Sequence, residues 1–577
     1  MTGEIGSPAV IAAEEAQRRV SACIDAGRNF RLEAGAGAGK TYSLVQALKR
    51  LISARGTSLL QAGQKVACIT YTEVARDEIA RDIEHHPAIL VNTIHAFSWA
   101  FMAQFQKSLR ELVSALEDRQ EKIAEGGGLG SKRVEYNLGF FGVDDHKITL
   151  GHDDVPLFMA QLIGQPKFRK LLTQAFPVIF IDEYQDTNQR FMSAISEHFF
   201  APGEGPLIGL FGDHWQTIYR GDFSLADYPN VEGINKGSNF RSAPAIVNVL
   251  NALRPELAQE VSDPELQGEA RFFHANSYIG VRTNTAHSKE DVPSDIGKQF
   301  VISLRARLEM EGWNFAPTNT KILMLTHAAL AAEQGYPLIE DIFDHNEAFA
   351  KKEDHVIRFL ADTVEPMLDA YGRGKYGEMF RILGGTPPIR SHAEKLAWRT
   401  DMDRLTRLRE QGTIGDVLDH LRTTRRPRLA DNVTRREEEL TAFGPEPVAE
   451  EPKTVARQRR LREVPYSEVI ELVSFLEGHT PFATQHSVKG AEFENVLVIL
   501  GGGWNHYNWP QLFELLQTRA ITSKNTKGYH RARNLFYVAA SRPKKRLAVL
   551  ATQTMSADAL ATAGRLFGPG NVVSLTI

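Results

Sequence analysis

The chain has 577 residues, 42% hydrophobic and 24% charged, with a formal net charge of −4. This is an ordinary globular composition; it excludes a disordered or fibrous protein, and the length implies roughly three to five domains. No apolar run approaches the ~20 residues of a membrane span. The N-terminus, Met-Thr-Gly-Glu-Ile-Gly, lacks the basic and apolar regions of a secretory leader. Two cysteines, Cys23 and Cys68, support neither a disulfide framework nor a Cys-based metal centre, so a reducing cytoplasm is expected.

Residues 10–28 have helical spacing, with Ala12, Ala13, Ala16, Val20 and Ile24 toward a core and Gln17 beside them. Phe30 to Glu33 reads as a short strand. It leads into Ala34-Gly35-Ala36-Gly37-Ala38-Gly39-Lys40-Thr41, a phosphate-binding loop pattern. A triphosphate needs many donors at short range. The glycines let backbone N–H groups turn inward without a Cβ in the way. Lys40 can reach the β- and γ-phosphates, and Thr41 can place its hydroxyl on Mg²⁺. Leu44, Val45, Leu48 and Leu51 then continue as a helix whose N-terminus also favours an anion.

Lys65 to Ile69 is an apolar strand ending in Thr70-Tyr71-Thr72, and Ile89 to Val91 is another, ending in Asn92-Thr93-Ile94-His95-Ala96-Phe97. Residues 98–170 read as a mainly helical insertion. Val178 to Ile181 is a continuous apolar run, as in a strand buried on both faces, and it stops at Asp182-Glu183-Tyr184-Gln185-Asp186. Leu207 to Phe211 repeats the pattern and ends in Gly212-Asp213, then Gln216. Polar clusters at the carboxyl ends of buried strands lie where ligands bind in an open α/β sheet. The expected fold class is therefore α/β with largely parallel sheets.

A second α/β unit is signalled by Lys321 to Leu325, Asn495 to Leu500 and Leu547 to Ala551. Residues 335–478 between these strands are helical and polar. The Arg-, Glu- and Pro-rich stretch 425–462 is expected to be mobile or solvent-facing. Residues 521–550 hold Lys524, Lys527, Arg531, Arg533, Arg542, Lys544, Lys545 and Arg546 without Asp or Glu. Such an island is a solvated face or a nucleic-acid contact.

In this order the motifs resemble those of the superfamily 1A DNA helicases typified by UvrD, Rep and PcrA. The segments that carry the resemblance are Gln17, the loop 34–41, Thr70-Tyr71-Thr72, Thr93-Ile94-His95, 182–186, and Gly212-Asp213 with Gln216-Thr217-Ile218-Tyr219. Downstream they continue with Asn239-Phe240-Arg241-Ser242, Thr484 to Phe493, and Leu535 to Arg542. The resemblance implies two RecA-like P-loop domains with parallel sheets, each carrying a mainly helical insertion. The first core would be 1–97 with 171–238, its insertion 98–170. The second would be 239–334 with 479–577, its insertion 335–478.

It implies ATP and Mg²⁺ as cofactors. Gln17, Gly35, Ala36, Gly37, Ala38, Gly39, Lys40, Thr41, Phe240 and Glu492 would bind nucleotide, and Thr41 and Asp182 the metal. Glu183, Gln216, Arg241 and Arg542 would be catalytic, the two arginines as fingers on the transferring phosphoryl group. Tyr71, Thr72, Thr93, His95, Tyr219 and His486 would touch single-stranded DNA, with Phe97 a further ring by position. The implied activity is ATP-dependent movement 3′→5′ on single-stranded DNA, with duplex unwinding.

Two departures bear on DNA rather than on hydrolysis. Glu73-Val74 replaces the usual Asn-Lys, and Arg220-Gly221 follows Tyr219 directly, without the usual stacking Trp; Tyr219 or Phe223 would substitute. The compact size, the 182–186 motif and Asn505-His506-Tyr507-Asn508 are similar to the helicase subunit of the Gabija anti-phage system, which implies a separate nuclease subunit as partner. Two other readings stand beside this one: a DNA-end or nucleotide sensor that controls a nuclease with little unwinding, and a general repair helicase.

Overall fold

The computed structural model describes residues 6–136, 141–217, 229–285, 288–324, 331, 334–343, 348–385, 389–444, 446–447, 451–484, 490–501 and 507–577. By contact density the chain forms two units. Unit 1 comprises Met1–Ala270 and Ala520–Arg546; unit 2 comprises Arg271–Arg519 and Leu547–Ile577.

Unit 1 is built on a six-stranded sheet: β1 (Asn29–Ala34), β2 (Val66–Thr70), β3 (Ile89–Thr93), β4 (Val178–Asp182), β5 (Leu207–Gly212) and β6 (Val231–Lys236). The order is β3-β2-β4-β5-β1-β6, and every pairing is parallel. Parallel strands need crossovers, and covering both faces makes the central strands apolar throughout. β2, β4 and β5 are accordingly buried at every residue. The edge strand β6, Val-Glu-Gly-Ile-Asn-Lys, was not visible in the sequence because its pattern is mostly polar.

One face of the sheet is covered by α1 (Pro8–Ala26) and α2 (Lys40–Gln61). Val20, Ile24, Leu44 and Leu48 pack there against Phe30, Phe180 and Phe211. The three rings meet edge to face at 5.4–5.9 Å, each pair worth about 0.5–1.5 kcal/mol beyond burial. Gly209 has no room for a side chain: a Cβ would lie 2.5 Å from Phe30 Cζ and 2.8 Å from Phe180 Cδ1.

The other face packs on the 98–170 insertion through Phe101, Phe158, Leu162 and Phe168. That insertion is not wholly helical. It carries a three-stranded sheet, Arg133–Tyr136, Gly142–Val143 and Lys147–Leu150. These strands are two to four residues long and border Gly-rich sequence, too short for periodicity to reveal.

Unit 2 carries a second six-stranded sheet. In chain order its strands are β7 (Glu269–His274), β8 (Thr320–Met324), β9 (Phe482–Thr484), β10 (Phe493–Leu500), β11 (Pro543–Ala551) and β12 (Val572–Ser574), arranged β9-β8-β10-β11-β7-β12. The pairs β7–β12, β8–β9 and β8–β10 are parallel. The helical region from Pro337 to Leu476 has its own core, including Tyr336, Phe359, Leu405, Val417 and Leu472.

Much of 425–462 faces solvent, as expected, but the stretch also supplies buried positions. Asp431–Phe443 and Lys453–Glu463 are helices. Glu437, 3% exposed, accepts hydrogen bonds from Gln458 Nε2 (2.7 Å) and from Arg462. The charges satisfy one another across the helix pair, so a polar sequence still folds. No helix among the described residues is long and apolar enough to cross a membrane.

Candidate nucleotide site

The loop 34–41 joins β1 to α2. Gly37 and Gly39 have φ of +75° and +72°, a region that side chains other than glycine enter at a cost. Gly37 is also crowded: a Cβ there would lie 2.8 Å from Arg241 Cβ and 3.0 Å from Asn239 Oδ1. The Asn239-Phe240-Arg241-Ser242 segment is thus laid directly on the loop. Phe240 N donates to Gly37 O (2.9 Å), Asn239 Nδ2 to Ala36 O (3.2 Å) and Ser238 Oγ to Ala38 O (3.2 Å). Asn239 Oδ1 accepts from the backbone of Arg241 and Ser242, which fixes the turn carrying Arg241. Phe240 itself is 45% exposed.

At the carboxyl end of β4, Glu183 adopts φ 47° and ψ 44°, left-handed for a non-glycine residue. Such strain costs about 1–3 kcal/mol and persists only where surrounding contacts hold it. Here they do: Lys40 Nζ donates to Glu183 Oε1 at 2.7 Å, and Gln185 Nε2 donates to Glu183 Oε2. Burial alone would lower the Lys40 pKa; Glu183, Asp182 and Asp213 outweigh it and hold the ammonium above its ordinary value. Burial, with the Glu183 charge adding to it, pushes the Asp182 carboxyl up against the opposing pull of Lys40.

The residues fit a divalent cation. Asp182 is 4% exposed, and its Oδ1 is buried with no hydrogen-bond partner among the described residues. A buried, unpartnered carboxylate oxygen is costly, and it lies beside the lysine that follows Gly39. Thr41, half-buried in the first turn of α2, offers the hydroxyl. Gln17 presents a second orphan: its Oε1 is buried and unpartnered among the described residues, an acceptor suited to an amino group such as that of adenine.

Helix α3 (Pro244–Leu253) and helix α4 (Thr526–Ala540) complete unit 1 around the loop. Tyr537, buried in α4, accepts from Ala36 N (3.4 Å). Arg542 follows α4, is 1% exposed, and donates to Val538 O (2.9 Å) and Ser541 Oγ (2.8 Å). Arg241 Nη1 donates to Ser541 O (3.2 Å). Burial, and then the adjacent Arg241, push the Arg542 guanidinium down to about 9. Two arginines held near each other beside a phosphate loop make a place that favours an anion. By contact density Phe240, Arg241 and Arg542 all fall in the same unit as the loop, whereas Glu492, exposed just before β10, falls in unit 2.

The sensor motif closes a chain of contacts. Gln216 Nε2 donates to Asp213 Oδ2 (2.9 Å), and Asp213 N donates to Gln185 Oε1 (3.1 Å). Lys40, Glu183, Gln185, Asp213 and Gln216 are therefore linked hand to hand. Gln185 belongs to the acidic motif 182–186, but its bridging role has no sequence signature. Lys236 is a further residue that sequence reading missed. It is 1% exposed and donates to Gly39 O (2.9 Å) and Ser43 Oγ (2.8 Å), its pKa lowered to about 8 by burial.

Among the residues expected to touch DNA, Tyr71 is 48% exposed at the end of β2. Thr72 Oγ1 and Thr93 Oγ1 cap helices by accepting from Ala75 N (3.1 Å) and Ala96 N (3.4 Å). His95 stacks on His152 with ring centroids 3.6 Å apart, and burial, with His152 beside it, lowers its pKa to about 4. Phe97 is not a surface ring: it is 1% exposed and packs edge-on against Phe176. Glu73 forms an ion pair with Arg76 on the following turn. Tyr219, Phe223 and His486 lie outside the described residues, as do Thr326, His327, Asn505 and His506.

A glycine-rich loop of phosphate-binding pattern, an acidic strand end gripping the loop lysine, and a second parallel sheet of the same kind place this protein among P-loop ATPases with two RecA-like cores. Comparison with known proteins narrows the class. The AAA domain profile matches residues 17–222. The chain is 22% identical to the Gabija protein GajB of Bacillus cereus (strain HuB5-5), over 93% of this chain and 95% of that protein. It is 26% identical to the ATP-dependent DNA helicase UvrD1 of Mycobacterium leprae (strain TN), over 40% of this chain and 38% of that one. The chain is thus similar both to a superfamily 1 helicase and, over nearly its whole length, to a Gabija protein, and it is an ATP-hydrolysing enzyme.

Proposed function

We propose that this protein is an ATP-driven motor that moves 3′→5′ along single-stranded DNA and works with a nuclease subunit in anti-phage defence. The observation that carries the reading is the continuous linkage Lys40–Glu183–Gln185–Asp213–Gln216, with Arg241 and Arg542 in the same unit. A phosphate grip, a base and a sensor that share hydrogen bonds respond together to the state of the nucleotide. The full-length similarity to GajB supports the defence setting, and the DNA track rests on the likeness to UvrD1 and on the exposed Tyr71.

In this reading the backbone of 35–39 and Lys40 hold the β- and γ-phosphates. Gln17 meets the adenine and Phe240 stacks on it. Thr41 and Asp182 would hold Mg²⁺, which supplies charge neutralisation on the phosphate oxygens when bound. Glu183 orients a water and takes its proton as the water oxygen bonds to the γ-phosphorus and the bond to the β-phosphate oxygen breaks. Arg241 and Arg542 take up the charge spread over the transferring group. Gln216 reports its departure through Asp213. Tyr71 and His95, with Thr72 and Thr93 at two adjacent strand ends, lie along the strand path.

The test is displacement of streptavidin from biotinylated oligonucleotides. The expected result is ATP-dependent release from the 5′ end, toward which a 3′→5′ motor moves, and none with Lys40→Ala. Release only from the 3′ end would refute the direction. Absence of release from either end, with DNA-stimulated hydrolysis intact, would favour the sensor reading. The Glu73–Arg76 pair, which places a neutralised carboxylate beside Tyr71, is the observation that keeps that reading alive.

A further inference from the structure

Arg254 ends α3 in the sequence Leu253-Arg254-Pro255, where an arginine would ordinarily be a solvated helix end. Here it is 2% exposed. Its Nη1 donates to Asp213 Oδ1 at 2.5 Å, and its Nη2 lies 3.4 Å from His214 Nδ1 and 3.8 Å from Glu33 Oε2. Asp213 is completely buried and Glu33 is 5% exposed. Two carboxylates at such depth are tolerable only with a cation between them.

The site does more than neutralise charge. Asp213 is the branch point of the catalytic linkage. Oδ1 accepts from Arg254 and from Trp215 N (3.0 Å), Oδ2 accepts from the Gln216 amide, and the backbone N–H donates to Gln185 Oε1, whose side chain holds Glu183. Rotation of the Asp213 carboxylate would therefore redirect the Gln216 amide, and a shift of its backbone would move Gln185 off Glu183. Arg254 limits both motions from one side. From another, its guanidinium lies 5.0 Å over the Trp215 ring, which also carries the Arg533 guanidinium at 3.7 Å. Arg533 belongs to α4, and its neighbour Asn534 donates to Thr217 O (3.3 Å), just past Gln216.

We propose that Arg254 is a positioning residue for ATP hydrolysis, holding Asp213 so that Gln216 and, through Gln185, Glu183 keep their working orientations, with Trp215 and Arg533 buttressing it from the basic helix α4. The inference rests on the reading that Glu183 and Gln216 serve hydrolysis. Arg254 touches none of the reacting atoms. It acts through Asp213, and misplacing a catalytic group by about 1 Å costs on the order of a hundredfold in rate.

The experiment uses the full chain with single-stranded DNA present. Arg254→Lys keeps a cation in the pocket but loses the planar fork. The expected result is a kcat about ten- to hundredfold lower, with KM for ATP and binding of a fluorescent ATP analogue within about threefold of wild type. In a Gln216→Ala background the same substitution should cost at least about threefold less than in the wild type, because the Gln216 branch of the linkage is already lost. A kcat within about twofold of wild type, or an equal loss in both backgrounds, would overturn the proposal. If Arg254→Lys does not fold, the paired change Asp213→Asn with Arg254→Met removes both charges together, which spares stability. The same kcat loss is expected of it, and near-wild-type kcat would overturn the proposal equally. Glu183→Gln separates the two levels. If it hydrolyses ATP at the wild-type rate, the site reading itself fails. If it is inactive while Arg254→Lys is normal, only the positioning role fails.

Discussion

The loop lysine and the strand-end carboxylate hold each other. Lys40 Nζ sits 2.7 Å from Glu183 Oε1, with the Lys40 side chain 12% exposed and that of Glu183 28% exposed. An incoming γ-phosphate must take Lys40 from this carboxylate and also approach a second negative charge. Glu183→Gln removes the charge while keeping the size and a hydrogen-bond acceptor. A charge-assisted hydrogen bond is worth about 1.5–3 kcal/mol when well buried. The partial exposure of Glu183 and the remaining Asp182 charge reduce this to about 1–2 kcal/mol. ATP should therefore bind about 5–30-fold more tightly to the variant, while hydrolysis is lost. Titration of a fluorescent ATP analogue into wild type and Glu183→Gln, with phosphate release measured in parallel, gives both quantities. Unchanged or weaker binding in the variant would refute the idea that Glu183 competes with the γ-phosphate for Lys40.

Three further outcomes follow from the geometry. Gly37→Ala places a Cβ 2.8 Å from Arg241 Cβ in a left-handed conformation, so kcat/KM for ATP should fall more than about tenfold and stability by about 1–3 kcal/mol; a normal rate would mean that the loop is not laid against Arg241 during turnover. For Glu33, burial alone would raise its pKa, but His214, Tyr184 and Arg254 hold it down at about 2. This depressed carboxylate contributes stability present above its unfolded value near 4.5 and lost as pH falls toward 2, about 3 kcal/mol in order of magnitude. Glu33→Gln should thus be less stable than wild type in urea unfolding at pH 7, with the gap narrowing steadily below pH 4.5; a pH-independent gap would contradict the linkage. Tyr71→Ala should weaken single-strand binding by about 1–3 kcal/mol in a fluorescence-anisotropy titration, and unaltered affinity would remove Tyr71 from the track.

The parts of this protein that were legible in its sequence are those where one local rule dominates. β4 and β5 announce themselves because strands covered on both faces must be apolar at every position, and the loop because glycine, lysine and threonine answer to phosphate chemistry. β6 was hidden: an edge strand with one partner tolerates Glu232, Gly233 and Asn235. The paired helices of 431–463 were hidden because their interior is ionic, and composition alone reads ionic as exposed. Within the site, Asp182 and Glu183 were readable from their place at a strand end. Gln185, Lys236 and Arg254 were not, since an amide or a cation has no sequence mark of burial. The three-dimensional neighbours that bury them come from positions up to several hundred residues away.

The unit 1 site is proposed to hydrolyse ATP in response to a single strand. Steady-state ATPase of the purified full chain with and without single-stranded oligonucleotide, set beside Lys40→Ala, tests it most directly. Hydrolysis should be strongly stimulated by the oligonucleotide in the wild type and absent above background in the variant. Hydrolysis that persists in Lys40→Ala, or that ignores the oligonucleotide in the wild type, would contradict it.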